Sequence, residues 1–248
     1  MSTFSDYFSE TAPSYAMHRP RYPASLFAWL AAQTQAHARA WDCGTGSGQA
    51  AQSLAPLFVD VLASDPSYAQ VSHAARVSNV AYAVMTAESA AIGDRTVNLV
   101  TVAQALHWFD RERFFAEVRR VLVPGGVVAA WTYKLLSVAP EIDAILKAFY
   151  SDTVGPFWPP ERALVDAGYR SILFPFREIE PPTFVMEAAW TLGHLRGFLD
   201  TWSAVTRYRK ARGTDPVAGV IDELAGMWGR PDVTRRVTWP LELRVGSV

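Results

Sequence analysis

RAWDCGTGSGQAAQSL, residues 39–54, decides how this chain is read. A short apolar run ends in an acid, Asp42, and three glycines follow at 44, 46 and 48. Glycine gives up the most backbone entropy on folding, so this density marks a turn that needs left-handed backbone or a close approach to the main chain. Ala50, Ala51, Leu54 and Ala55 then recur at helical spacing. Strand, turn and helix in that order form a β/α unit, and such units bind ligands at the carboxyl ends of their strands.

The same rhythm repeats downstream. Residues 59–65 (VDVLASD), 79–85 (NVAYAVM), 97–105 (VNLVTVAQA) and 127–133 (VVAAWTY) are further strand candidates, nearly apolar throughout. That pattern suits a parallel sheet covered on both faces. Asp110 can cap the helix carrying Phe115, Val118, Val121 and Leu122, with Phe109 and Phe114 placed as a hydrophobic staple; Pro124 should stop it and Gly125–Gly126 turn the chain. Ahead of the sheet, Pro23 precedes a helix carrying Leu26, Phe27, Leu30 and Ala31. Beyond residue 137 the pattern becomes helical with proline-rich breaks, and 171–179 is a weaker strand. Leu192, Leu195, Phe198, Leu199 and Trp202 make one stripe; Asp215 and Pro216 open a helix with Val217, Val220, Ile221, Leu224 and Trp228. A last strand over roughly 236–245 closes the sheet.

Composition excludes several classes. The 248 residues are half apolar, and 23 basic residues nearly balance 24 acidic ones, without the basic footprint of a nucleic-acid or membrane-surface binder. A small-molecule partner follows. The single cysteine, Cys43, forms no internal disulfide and belongs to no zinc-like spacing, so no metal is expected. The start is too polar for a signal peptide, and no run approaches the ~18 apolar residues of a spanning helix, so a cytoplasmic protein without membrane contact is expected, as monomer or homodimer.

The spacing of the turn weakens phosphate readings. Counting from Gly44, Gln49 holds the sixth place where a dinucleotide fingerprint and a P-loop both need glycine. Asp42, directly before the turn, would repel phosphate and attract an ammonium or sulfonium group. Asp65 ends the second strand 23 residues later, near the interval at which an acid reaches ribose hydroxyls. A ribose and a cationic group in one ligand suggest S-adenosylmethionine.

DCGTGSG at 42–48, SDP at 64–66, AES at 87–89 and AQALHWFD at 103–110 resemble class I S-adenosylmethionine-dependent methyltransferases of the type 11 group, similar to trans-aconitate methyltransferase-like small-molecule enzymes. The likeness extends to 15–23, 190–205 and 237–246. It implies a doubly wound, mostly parallel seven-stranded Rossmann-like sheet with an antiparallel closing strand and a helical lid. One domain over 1–248 would comprise an N-terminal cap segment (1–36), a cofactor-binding core (37–136), a helical lid with the weaker strand (137–235) and the closing strand (236–248).

The resemblance also implies site roles, with S-adenosylhomocysteine as product. Gly44, Thr45 and Gly46 would pass the methionyl part, Asp42 would orient its amino group directly or through water, and Asp65, followed by Pro66, would hold the ribose. Ala87 and Glu88 would meet the adenine, Gln104 the methionyl part and reactive methyl, and Arg19, with Tyr15 a turn before it, the cofactor carboxylate. His107 is either a general base for a hydroxyl or amine acceptor or a polar structural residue beside Trp108. Trp108, Trp131 and Trp202 either line an acceptor pocket or belong to the core; Arg207 and Arg209 either pair with a carboxylate acceptor or face solvent. The alternatives to an enzyme transferring methyl to a small acid, hydroxyl or amine are a non-catalytic cofactor-binding module and a nicotinamide oxidoreductase.

Overall fold

The computed structural model of the chain describes residues 20–248; Tyr15 and Arg19 lie outside the described residues. Helix α1 (Ala24–Ala32) follows extended Pro23 and buries Leu26, Phe27, Leu30 and Ala31. The repeats then run β1 (Arg39–Cys43), α2 (Gln49–Leu54), β2 (Asp60–Asp65), α3 (Tyr68–Ser72), β3 (Val80–Val84), β4 (Val97–Ala103), α4 (Arg111–Val121) and β5 (Leu122–Tyr133). These five strands pair in parallel in the order β3-β2-β1-β4-β5. The order reverses between β1 and β4, and that switch point is where an open sheet of this type leaves a crevice beyond its strand ends.

Local chemistry explains the element boundaries. The Asp110 carboxylate accepts the Arg113 N–H at 3.3 Å, and the Phe109 and Phe114 rings meet at 4.9 Å, so cap and staple both start α4. The helix ends at Val121, before Pro124, and β5 begins at once. The β4–β5 register jumps from Val97↔Leu122 to Leu99↔Val127, so residues 123–126 bulge out of the ladder. Pro124 has no N–H to give a ladder, and Gly125 takes φ +74° within that bulge.

The second half completes the sheet and covers one face. Strand β6 (Arg177–Glu178), β7 (Val185–Trp190) and β8 (Arg235–Ser247) are joined by α5 (Pro140–Ala148), α6 (Arg162–Asp166), α7 (Leu192–Asp200), α8 (Ser203–Arg212) and α9 (Pro216–Trp228). β8 runs antiparallel to β5 through Leu241–Ser247 and to β7 through Arg235–Pro240. The main path therefore holds seven strands, β3-β2-β1-β4-β5-β8-β6, with β7 pairing β8 alone. The closing strand sits one place in from the edge.

The strand expected over 171–179 shortens to Arg177–Glu178 because other groups take its backbone. Arg244 donates to the Tyr169 and Ile172 carbonyls at 3.0 Å each, Arg119 donates to that of Pro175 at 2.6 Å, and Phe174 and Phe176 pack on Phe115. α7 and α9 bury the anticipated stripes, with Ile221 half-buried; Trp202 stands beyond α7, at the start of α8. One core joins α1, α2, the lid helices and the sheet face carrying Trp131; the other face packs Trp41, Phe114, Phe115 and Val118. Among the described residues no helix is long and apolar enough to cross a membrane.

Gly44 and Gly213 separate two costs of losing a glycine. Both have left-handed φ, +69° and +70°, but a Cβ on Gly44 would come 2.6 Å from the Ala105 Cβ, whereas nothing lies within 4 Å at Gly213. Gly213→Ala should cost about 1–2 kcal/mol for backbone strain, and Gly44→Ala about 1–3 kcal/mol more for the forced overlap. Urea unfolding of the two variants reads this difference directly.

Candidate functional site

The glycine turn alternates its backbone. Gly44, Gly46 and Gly48 have φ of +69°, +54° and +84°, while Thr45 N–H bonds the Ser64 carbonyl and Gly48 N–H that of Thr45, both at 2.9 Å. Alternation of this kind turns main-chain amides toward one concave side. The glycines are required for different reasons. A Cβ on Gly44 would strike Ala105 and Phe109, and one on Gly48 would come 2.3 Å from the Tyr82 hydroxyl. Only Gly46 faces space, its nearest neighbour being the Gln70 Oε1 at 3.8 Å. Two glycines thus admit neighbouring protein, and the third keeps an approach open.

Asp42 is fully buried and serves both strands of the switch point. Its Oδ2 accepts the Thr45 hydroxyl at 2.5 Å and its Oδ1 the Thr101 hydroxyl, on β4, at 2.8 Å. Burial raises its pKa to about 6 against the opposing pull of these hydroxyls and the Ala51 N–H in the first turn of α2; Asp65 adds a smaller upward push. With no exposed surface, Asp42 holds the turn to β4 through these two hydroxyls.

Asp65 and Glu88 are also tied to backbone. The Asp65 carboxylate accepts Gly46 N–H at 3.0 Å and Ser67 N–H at 2.9 Å, so it fixes the turn and the start of α3 together. It stays half-exposed at the end of β2. Pro66 follows it, half-buried. Ala87 is buried after β3, and the Glu88 carboxylate accepts the Asp110 N–H at 3.0 Å. β3 and α4 are coupled through that bond.

Gln104 follows β4 in left-handed backbone, φ +56°, which costs a non-glycine residue about 1–3 kcal/mol. Its N–H donates to the Trp131 carbonyl at 2.9 Å and its Oε1 accepts the Thr132 hydroxyl, so neighbours on β5 hold the strained conformation. Beyond it, in a short turn over Leu106–Trp108, His107 stacks on Trp108 with centroids 4.6 Å apart and its Nδ1 lies 2.8 Å from the Tyr169 hydroxyl. Burial, then the charges of Arg162 and Arg111, lower the His107 pKa to about 3. Burial pushes the Tyr169 phenol well above its usual range.

Gln104, His107 and Trp108 form one wall of a solvent-open crevice whose other walls include Lys134, Trp158, Arg162, Phe198 and Trp202. No aspartate or glutamate is among the described residues lining it. Trp131 does not line it: the side chain is fully buried in the core against Tyr22 and Phe27, which corrects its placement in a pocket. Arg207 is not among the lining residues either, and Arg209 is engaged by Asp200 and Asp215 at 2.5 Å each. Sequence reading passed over Arg162, Trp158 and Tyr169. Proline-rich spacing hid the first two, and only the fold brings Tyr169 to His107, 62 positions away.

Comparison with known proteins agrees with this arrangement. A family model described as a methyltransferase domain matches residues 41–130. A Dictyostelium discoideum protein assigned as a methyltransferase is 31% identical over 225 residues, spanning 89% of this chain and 86% of its own. A solved structure from Anaeromyxobacter dehalogenans, assigned as a type II methyltransferase, has a TM-score of 0.87 at 46% identity, covering 92% of this chain and 97% of that one. An S-adenosylmethionine-dependent methyltransferase of Saccharomyces cerevisiae is 26% identical over 238 residues, 80% of each chain. The chain belongs to the class I S-adenosylmethionine-dependent methyltransferases. It is an enzyme that uses S-adenosylmethionine, which sets aside the oxidoreductase and non-catalytic alternatives.

The buried Asp42 makes a pH-dependent contribution of known sign. Its folded pKa of about 6 lies above the ordinary 3.8, so the folded protein holds the proton more tightly. Ionisation therefore costs stability, about 3 kcal/mol above the folded pKa, and the cost vanishes as pH falls below about 4. Asp42→Asn is neutral throughout, so its stability relative to the parent should rise between about pH 4.5 and about pH 7.5. Urea midpoints at the two pH values test this; a constant difference would contradict a buried, charged Asp42.

Proposed function

We propose that the enzyme methylates a small molecule held in the crevice beside Gln104. The observation carrying this reading is the crevice itself: it begins at the strained residue after β4, next to the switch point, and is walled by Trp108, Trp158 and Trp202 with no carboxylate among the described lining residues. Strained backbone persists where surrounding bonds over-determine it, and such positions concentrate at sites of function.

The residues present fit the cofactor. The open Gly46 and the concave turn leave room for the methionyl part, and Asp42 fixes that turn from behind. The half-exposed Asp65 at the end of β2 would hold the ribose, Ala87 and Glu88 after β3 would meet the adenine, and Gln104 after β4 would stand beside the reactive methyl. When bound, S-adenosylmethionine supplies a methyl group on a cationic sulfur that leaves as a neutral thioether. The protein's task is to align an acceptor behind that methyl and exclude water, and alignment can lower a barrier by about 7–11 kcal/mol.

His107 is suited to donate a hydrogen bond here. With the Tyr169 hydroxyl, 2.8 Å away, as donor to His107 Nδ1, the imidazole proton resides on Nε2 and can be offered to an acceptor. A group with a pKa near 3 is a weak base at neutral pH. A donor of this kind orients the acceptor and takes no proton from it.

Release of S-adenosylhomocysteine, measured over small acids, phenols and amines, tests the reading. Trp202→Ala should raise acceptor KM with little change in cofactor affinity, while Asp65→Ala should weaken cofactor binding by about 1–3 kcal/mol. The kcat/KM profile should show no inflection from His107 between about pH 5 and pH 8. An inflection in that range that disappears in His107→Ala would restore a base role.

A further inference from the structure

Arg162 opens α6 directly after Pro159–Pro160–Glu161, and its side chain is held by three neighbours. Nε donates to the Tyr150 hydroxyl at 2.6 Å and to Asp166 Oδ1 at 3.1 Å, and that same Asp166 oxygen accepts the Tyr150 hydroxyl at 2.6 Å. The guanidinium carbon lies 4.5 Å from the Trp158 ring centroid and 5.1 Å from that of Tyr150. Trp158 is itself fixed, donating Nε1–H to the Tyr150 carbonyl at 3.2 Å and packing on Trp202 at 5.4 Å. One edge and one face of the guanidinium are thus occupied.

Its other edge is not. Neither Nη group makes a hydrogen bond among the described residues, although the side chain is largely buried and lines the crevice. An arginine presents two parallel N–H donors along that edge, spaced to match the two oxygens of a carboxylate. The charge also reaches across the crevice, since it helps to keep His107 neutral. The other cation in the wall, Lys134, is paired with Glu242.

Resting on the crevice as the acceptor site, we propose that Arg162 selects the acceptor by binding a carboxylate group on it through the paired Nη donors. The side chain arrives pre-ordered. Trp158 and Tyr150 have already fixed its rotamer and Asp166 its orientation, so a carboxylate acceptor orders little on binding. Asp166 touches only the Nε side, leaving the outer edge to an incoming anion.

Matched acids and amides test this on the protein saturated with S-adenosylhomocysteine, titrated by calorimetry with hexanoate against hexanamide, phenylacetate against phenylacetamide, and glutarate against glutaramide. At least one acid should bind about tenfold or more tightly than its amide, the ratio expected for a paired charge-assisted contact. Arg162→Gln should bring that ratio close to one. Arg162→Lys should recover only part of it, because it keeps the charge and loses the fork. Both variants should keep S-adenosylhomocysteine affinity, which checks the fold. Ratios near one for all three pairs in the parent, or a preference that survives Arg162→Gln, would overturn the proposal. Trp202→Ala distinguishes the two failures: if the crevice is not the acceptor site, neither Trp202→Ala nor Arg162→Gln weakens acid binding. If only the role of Arg162 is wrong, Trp202→Ala weakens it and Arg162→Gln leaves the acid–amide ratio unchanged.

Discussion

A carboxylate buried at the switch point of the sheet is the constraint from which the site follows. Asp42 is the penultimate residue of β1, and its two oxygens are divided between Thr45 in the glycine turn and Thr101 on β4. Burying such a charge is costly, and the hydroxyls and helix-end amide that fill its lone pairs offset only part of that cost. The consequence is geometric. The turn is tied to β4 through Asp42, so its open glycine keeps its place relative to the strand that leads to Gln104. Asp65 repeats the device one strand away, binding the same turn and the next helix through its two oxygens.

Much of the cofactor half was legible because its signals are local. Apolar strands, a capped helix and closely spaced glycines each follow from neighbours in sequence, and Asp42 and Asp65 stand out by position alone. The strength of Asp42's burial was not legible, since Thr101 is 59 positions away. β7 was missed for a related reason. Its Ala188–Ala189 pair has little intrinsic strand preference, and the strand exists through its ladder with Val237 and Arg236 on β8. The strand expected over 171–179 erred in the opposite sense, because arginine side chains took the Ile172 and Pro175 carbonyls that a ladder would have used.

The acceptor half was less legible because the same residue types serve as core and as lining. Trp131 and Trp202 looked alike in sequence; one fills the space between sheet and α1, and the other reaches the crevice. What separates them is strand direction and the point where α7 gives way to α8. The arginines divide in the same way. Arg209 is closed in an ion-pair cluster, while Arg162 is held by rings and keeps an edge toward the crevice.

The place of β8 has a consequence for how the molecule is assembled. Arg235–Ser247 lies between β5 and β6 in the sheet, although it is made after every other element. On the ribosome, a chain grown to Tyr133 already carries the five parallel strands and the glycine turn. The outer edge of β5 lacks its partner for the next hundred or so residues. An apolar strand with an open edge invites pairing with another chain, so the period between β5 and β8 is when a nascent molecule is most exposed to misassembly. The segment made during that interval supplies Trp158, Arg162 and Trp202 to the crevice. Its sequence is free to vary only as far as the chain still delivers β8 to that edge.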